Sequence, residues 1–202
     1  ADVADLARLV ARDAPHQGVV IEVEPLDDML LADGGLGFLY ATFTGFHDFE
    51  CEPTREMLTH PNAMIGLGDG GAHVGFITDA CFPTYLLTHW ARDRSRGEKI
   101  PLETLVKWQT HDTAATVGLN DRGLLRPGYK GDVNVIDFEN LKLHAPKIVH
   151  DLPANGRRLG QVAEGYRATI VAGVVTYRDG ISTGNLPGKL IRGAQVAQTV
   201  AA

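Results

Sequence analysis

Hydrophobic residues recur at helical spacing in several stretches of the chain, and each such stretch ends at a proline or a glycine. A three-to-four-residue repeat places apolar side chains on one helical face. Proline is favoured in a first helical turn, as at Pro101, and glycine directly after a last one, as at Gly118. The pattern predicts helices over residues 3–14, 26–31, 54–58, 81–96 and 101–117.

Short apolar runs without helical spacing predict strands. Residues 63–67 lack a clean apolar and polar alternation, which is typical of a strand buried on both faces, as in a parallel sheet. The short helix before that run and the strand before the helix make a parallel βα arrangement. Strands are predicted over residues 19–23, 36–43, 63–67, 132–138 and 168–177. The last of these turns back at Ala172-Gly173 as a hairpin, whereas residues 143–158, rich in Pro, Asn and Gly, predict a long loop.

The character of the chain changes at Gly118. Helices and apolar runs precede it, and alternating β-branched segments follow it. The predicted fold class is therefore α/β, with one domain over residues 1–118 and a β domain over residues 119–202.

Composition narrows the range of functions. The 202 residues are 44% hydrophobic, which is enough for a sizeable core, and the net charge of −6 comes without basic runs. That charge argues against nucleic acid and anionic membranes as partners. The two cysteines cannot form a disulfide framework, and no apolar run is long enough to cross a membrane. We expect a cytoplasmic protein whose partner is a small molecule.

The most informative stretch lies between Ala63 and Gly75, where the apolar run opens into Gly68-Asp69-Gly70-Gly71 and is followed by His73. Glycines allow sharp bends and close approach of a ligand to the backbone, so Asp69 would project from the carboxyl end of a strand. In parallel sheets that end carries the chemistry. A dinucleotide fingerprint is a weaker interpretation, because Gly75 and Pro83 interrupt the helix it requires. A purely structural glycine turn stays open on local pattern alone.

Several spaced blocks, taken together, resemble the carboxyl-terminal part of N-acyl-D-amino-acid deacylases, which belong to the metal-dependent amidohydrolase superfamily. The resemblance covers nearly the whole chain from about residue 55. The blocks that carry it are Gly66–Val74, Trp90–Arg94, Asp121–Gly123, Pro127-Gly128, Asp132–Asp137, Asp151–Pro153, Gly165-Tyr166, Pro187-Gly188 and Arg192-Gly193.

The resemblance implies a (β/α)8 barrel of the TIM type beside a small β-sandwich. Residues 63–67 would be the last barrel strand, and the region after Gly118 part of the sandwich. Asp69 matches the aspartate that the superfamily places after that strand, both as a metal ligand and as the general acid/base that takes a proton from a zinc-bound water. Zinc lowers the pKa of bound water, but a nearby group must still accept the proton. His73, Gly70 and Gly71 are the candidate substrate-binding residues.

Two departures from the family pattern bear on function. The chain has no His-x-His pair, from which the superfamily draws its first metal ligands. We therefore expect a fragment that lacks those ligands and is inactive alone. Residues 74–79 also lack the arginine expected to meet a substrate carboxylate, which leaves the chirality of the substrate open.

The predicted function is zinc-dependent hydrolysis of a linear amide, most consistent with deacylation of an N-acyl amino acid by Asp69. Two alternatives stay open: a cyclic-amide hydrolase of the dihydropyrimidinase type, and a non-catalytic interaction module. The oligomeric state is not predicted. The arginines of Arg92-Asp93-Arg94 and Asp121-Arg122 are expected to form ion pairs.

Overall fold

The computed structural model describes residues 28, 31, 34, 51–66 and 68–198. The chain divides into two compact units, residues 1–44 and residues 45–202. In the first unit, Asp28, Leu31 and Gly34 are helical and exposed, in agreement with helical turns near residues 26–31. The helix predicted over 3–14 and the strands predicted over 19–23 and 36–43 lie outside the described residues.

The described helices of the second unit precede Leu119, apart from a 3-10 turn at Pro153–Asn155, and the predicted helical segments at 54–58, 81–96 and 101–117 are confirmed. Helix α1 (Glu52–Thr59) ends before His60, which takes an extended conformation (φ −64°, ψ 133°) because Pro61 follows it. Gly118, at φ +76°, ends the last helical segment, as predicted. The elements are α1 (Glu52–Thr59), a 3-10 turn (Asp79–Cys81), α2 (Phe82–Tyr85), a π-helical segment (Leu86–Asp93), α3 (Leu102–Lys107), a second π-helical segment (Trp108–Asp112) and α4 (Thr113–Thr116).

The strand predicted over residues 63–67 is wrong for the part that is described. Ala63–Gly66 has no regular secondary structure, and Leu67 lies outside the described residues. A strand in a parallel sheet needs neighbours for its backbone hydrogen bonds, and no strand of residues 51–66 or 68–198 precedes Leu119. The barrel implied by the resemblance is therefore not seen in this part of the chain.

The strands predicted after Gly118 are confirmed, and in the described residues they form four small sheets. The largest is antiparallel, in the order β2-β7-β8-β9. Its central hairpin turns at Ala172 (φ +50°) and Gly173 (φ +79°), the residues predicted for the turn. The strands are β1 (Leu119–Asn120), β2 (Val133–Ile136), β3 (Lys142–Leu143), β4 (Lys147–Leu152), β5 (Gly156–Gly160), β6 (Ala163–Glu164), β7 (Tyr166–Val171), β8 (Val174–Arg178), β9 (Ile181–Ser182) and β10 (Gln195–Val196).

The long loop predicted over residues 143–158 is wrong, because β4 and β5 form an antiparallel hairpin there. The Pro, Asn and Gly residues of this segment mark the hairpin turn rather than a loop. Ala154 (φ +57°) and Asn155 (φ +60°) are both left-handed, which matches the twist of two antiparallel strands. Arg158 also binds Asp151 across the hairpin through two hydrogen bonds of 2.6 and 2.7 Å.

The core joins the helices to the β part. Leu105, Leu141 and Ile100 are nearly inaccessible to solvent, and Trp90 packs with them. The Arg92 guanidinium, which is paired with Asp93, donates a hydrogen bond of 2.8 Å to the Leu141 carbonyl. The Tyr166 hydroxyl lies 2.8 Å from the Thr84 hydroxyl. These polar contacts hold the sheet against α2 and the π-helical segment that follows it.

Candidate functional site

The glycine-rich segment from Gly68 to Ile77 forms an irregular loop at the start of the second helical segment. Gly68 is required there, since a Cβ would lie 2.8 Å from the Asp79 carbonyl oxygen and 3.2 Å from the Phe82 ring. A Cβ at Gly70 would be similarly crowded, since it would lie 3.2 Å from the Ala80 Cβ. The loop therefore packs its backbone directly on the 3-10 turn that follows.

Asp69 lies at the exposed side of this loop. Its backbone N–H lies 3.4 Å from Asp79 Oδ2, and its carbonyl accepts a hydrogen bond of 3.0 Å from Ala72 N–H. Its backbone is therefore fixed at both ends while the carboxylate faces solvent. An exposed carboxylate on a fixed backbone is available to a substrate.

The other predicted site residues lie on the same loop. His73 is left-handed (φ +45°), is exposed, and stacks on Phe76 with a ring distance of 5.2 Å. Its carbonyl accepts hydrogen bonds from Phe76 and Ile77 N–H at 2.9 and 3.1 Å. Gly71 is left-handed at φ +98°, with no atom within 4 Å of a Cβ. No regular helix directly follows Gly71, so the dinucleotide fingerprint is not supported.

Two residues that hold this loop were not predicted from the sequence. Asp79 faces the Asp69 N–H, and Leu159 of β5 donates a hydrogen bond of 2.7 Å to the Val74 carbonyl. The signal for Asp79 was its place at the start of a helical stretch, where carboxylates are favoured. Leu159 is 85 positions beyond Val74 in the sequence, so no local pattern could identify that contact.

The described residues do not supply a complete metal site. A catalytic zinc takes three protein ligands, and no group of three His, Cys, Asp or Glu side chains in the described part of the chain is placed to hold a metal. The Asp69 carboxylate is a suitable ligand by its chemistry and exposure. At least one ligand of a three-ligand site would therefore come from outside the described residues.

An open cleft of about 1230 Å³ begins beside Ile65 and Gly66. Phe82 and Leu87 line it from the second helical segment, and Val106 lines it from α3. Because a Cβ at Gly68 would lie only 3.2 Å from the Phe82 ring, the glycine loop lies next to this wall of the cleft. His111 also lines the cleft, and its Nδ1 lies 2.8 Å from Asp112 Oδ1.

The remaining reactive side chains lie in structural positions. Burial raises the pKa of the Cys81 thiol, which disfavours the thiolate needed for nucleophilic attack. Arg94 is buried and paired with Glu52 at 2.7 Å, and Arg122 is paired with Asp121 at 2.9 Å. The ion pairs of Arg92 and Arg122 confirm the prediction, while Arg94 pairs with a residue 42 positions away in the sequence rather than with Asp93.

Comparison with known families decides the assignment. The family model described as "Amidohydrolase family" matches residues 1–177. The chain belongs to the amidohydrolase family. No match was found among curated proteins or among solved structures. Amidohydrolases are hydrolases that generally depend on a metal and have a TIM-barrel-like fold. Among the described helices of this amidohydrolase, none is long and apolar enough to span a membrane.

Proposed function

We propose that this amidohydrolase hydrolyses the linear amide of an N-acyl amino acid, with Asp69 as the general acid/base. The observation that carries the proposal is the position of Asp69. It is an exposed carboxylate on a loop whose backbone is fixed by Asp79 and Leu159, in a chain that matches the amidohydrolase family over residues 1–177. A carboxylate on a fixed backbone loses less conformational freedom when it meets a substrate than one on a mobile backbone.

The proposed reaction requires two proton movements at one carboxylate. Asp69 accepts a proton from water as the water oxygen attacks the amide carbonyl carbon. It then donates that proton to the amide nitrogen as the C–N bond breaks, which releases a carboxylic acid and an amino acid. A bound zinc would polarise the carbonyl and lower the pKa of water. Asp69 is also proposed as a ligand of that metal.

The loop around Asp69 offers groups for substrate binding. Gly70 and Gly71 are both exposed, and a Cβ at Gly71 would have no atom within 4 Å, so a bound molecule has room beside Gly71. His73 presents an imidazole four positions beyond Asp69 and is steadied by its contact with Phe76. These three residues are proposed to contact the substrate. The amide substrate itself is proposed as the partner of this site.

The test uses the intact protein, including any sequence that precedes Ala1. Metal content would be measured, and hydrolysis of N-acetyl-D-amino acids, N-acetyl-L-amino acids and a hydantoin would be compared for wild type and Asp69→Asn. General acid/base catalysis contributes about 10²–10⁴-fold to rate, so kcat should fall by at least about 10²-fold. Asp179→Asn is the matched control, because Asp179 is exposed in the turn after β8.

Each outcome separates the candidate functions. Hydrolysis of N-acetyl amino acids that depends on Asp69 would support the proposal. Hydrolysis of the hydantoin alone would favour a cyclic-amide hydrolase instead. An unchanged rate in Asp69→Asn would refute the acid/base role and return the glycine loop to a structural one.

A further inference from the structure

We infer that the cleft beside the glycine loop binds the acyl chain of the substrate, so that the preferred substrates are N-acyl amino acids with long apolar acyl groups. This inference rests on the proposed function. It concerns the cleft, to which the proposed roles of the residues in the Asp69 loop assign no function. The described residues that line the cleft all belong to the unit formed by residues 45–202.

The first argument is the position of the cleft. Its wall includes Ile65 and Gly66, four and three positions before Asp69. Phe82 forms part of the same wall and also lies against Gly68, the residue next to Asp69. Consecutive Cα atoms are about 3.8 Å apart. An acyl chain that enters the cleft therefore has its amide end close to the loop that carries Asp69.

The second argument is the chemistry of the lining. Most of the lining surface is apolar, contributed by aliphatic and aromatic side chains from both the helical and the β parts of the unit. Examples are Ile65, Phe82, Leu87, Val106, Leu125 and Phe138. Val106 and Leu125 are 44% and 85% exposed, so these side chains meet water when the cleft is empty. An apolar ligand would remove that surface from water, which is favourable.

The third argument is size. Pockets for small ligands have volumes of roughly 300–1,000 Å³, and this cleft is larger, at about 1230 Å³. An acetyl group would leave nearly all of it filled with water. A chain of eight or more carbons would cover a substantial part of the apolar wall. The cleft therefore favours long acyl groups over acetyl.

Charged residues also line the cleft, among them Glu103, Lys107 and Asp132. Lys107 is paired with Asp112 at 2.7 Å, and His111 contacts the same carboxylate group. Lys107 and His111 line the cleft together with the apolar side chains. Phe82, Leu87 and Val106 line the same cleft. A methyl terminus of a ligand would meet this apolar wall, where its burial is favourable.

The experiment compares kcat/KM of the intact protein for N-acetyl, N-butanoyl and N-octanoyl derivatives of one amino acid. Full burial of a methylene is worth about a fourfold gain. We expect kcat/KM to rise by at least about tenfold from acetyl to octanoyl. Val106→Asp places a charge on the wall and should reduce the octanoyl-to-acetyl ratio by about tenfold. Val117→Asp is the matched control, because Val117 is exposed but does not line the cleft.

Octanoate binding, measured by calorimetry, separates failure of this inference from failure of the proposed function. Equal kcat/KM for acetyl and octanoyl substrates would overturn the inference and leave the function standing. If no N-acyl amino acid is hydrolysed, weaker octanoate binding in Val106→Asp would support an apolar-chain site while refuting deacylation. Equal effects of Val106→Asp and Val117→Asp on the octanoyl-to-acetyl ratio would overturn the inference.

Discussion

The left-handed backbone of Gly97 (φ +80°) leaves no room for a side chain beside the buried guanidinium of Arg94. A Cβ at this position would lie 2.8 Å from Glu52 Oε2 and closer still to Arg94 Nη2. Those two side chains form the 2.7 Å ion pair that joins α1 to the segment after the π-helical turns. We predict that Gly97→Ala displaces this ion pair.

The magnitude follows from two costs. A non-glycine residue in the left-handed region costs about 1–2 kcal/mol. The side chain of Arg94 is 3% exposed and that of Glu52 is 40% exposed. Removing one partner of a fully buried pair costs about 3–5 kcal/mol, and the partial exposure of Glu52 reduces this to about 1–2 kcal/mol. Gly97→Ala should therefore lower the free energy of unfolding by about 2–4 kcal/mol.

Urea unfolding measures this loss as a shift of the midpoint, by about 1–2 M for a typical dependence of stability on urea. Gly180→Ala is the matched control, since Gly180 has φ +79° and nothing within 4 Å of a Cβ. It should show only the backbone cost of about 1–2 kcal/mol. Equal losses in the two variants would refute the steric argument. Glu52→Ala should cost less in the Gly97→Ala background than in wild type.

Two further perturbations test the packing around this ion pair. Burial lowers the pKa of His89 and the charge of Arg94 lowers it further, while Asp93 raises it. The folded state therefore favours the neutral His89 imidazole. The resulting contribution to the free energy of unfolding is complete above about pH 6.5 and is lost as the pH falls through the lower pKa of His89 in the folded state. The urea midpoint of the wild type should fall between pH 7 and pH 5, and that of His89→Phe should fall less steeply. Identical pH profiles of the midpoint in the two proteins would contradict this prediction. Leu105 is 0% exposed, so Leu105→Ala should lower the free energy of unfolding by about 2–5 kcal/mol, measured with urea. Val106→Ala, at the exposed neighbouring position, should lower it by less than about 1 kcal/mol. Equal losses in the two variants would contradict the position of the core.

The sequence predicted features that depend on neighbouring residues. Gly118 ends a helix because its backbone is left-handed, and Ala172-Gly173 turns a hairpin for the same reason. Gly128, at φ +85°, follows Pro127 in a turn closed by a 3.1 Å hydrogen bond from Tyr129 N–H to the Arg126 carbonyl. This geometry is that of a type II turn, which proline followed by glycine at the two central positions favours. Each of these features is determined within about four residues.

Features that depend on distant residues were not predicted. The segment from Pro101 to Val117 was predicted as one helix, but a π-helical segment interrupts it at Trp108–Asp112. The two-residue strands β1 and β10 pair in parallel although Gly118 and Gln195 are far apart in sequence, and Gln195 N–H donates a 2.8 Å hydrogen bond to the Gly118 carbonyl. Strands this short have no detectable alternation.

The candidate site combines features that depend on neighbouring residues with features that depend on distant residues. The type of residue at Asp69 and the glycines around it could be identified from the sequence, because backbone freedom and a carboxylate are local properties. The position of the Asp69 carboxylate depends on distant contacts. The Asp79 carboxylate faces the Asp69 backbone N–H, and Leu159 N–H donates a hydrogen bond to the Val74 carbonyl. The β4–β5 hairpin therefore helps to determine where Asp69 lies. A substitution in that hairpin that breaks the Leu159 contact should affect the Asp69 loop before it affects the helical core, because the core residues Leu105 and Trp90 pack elsewhere.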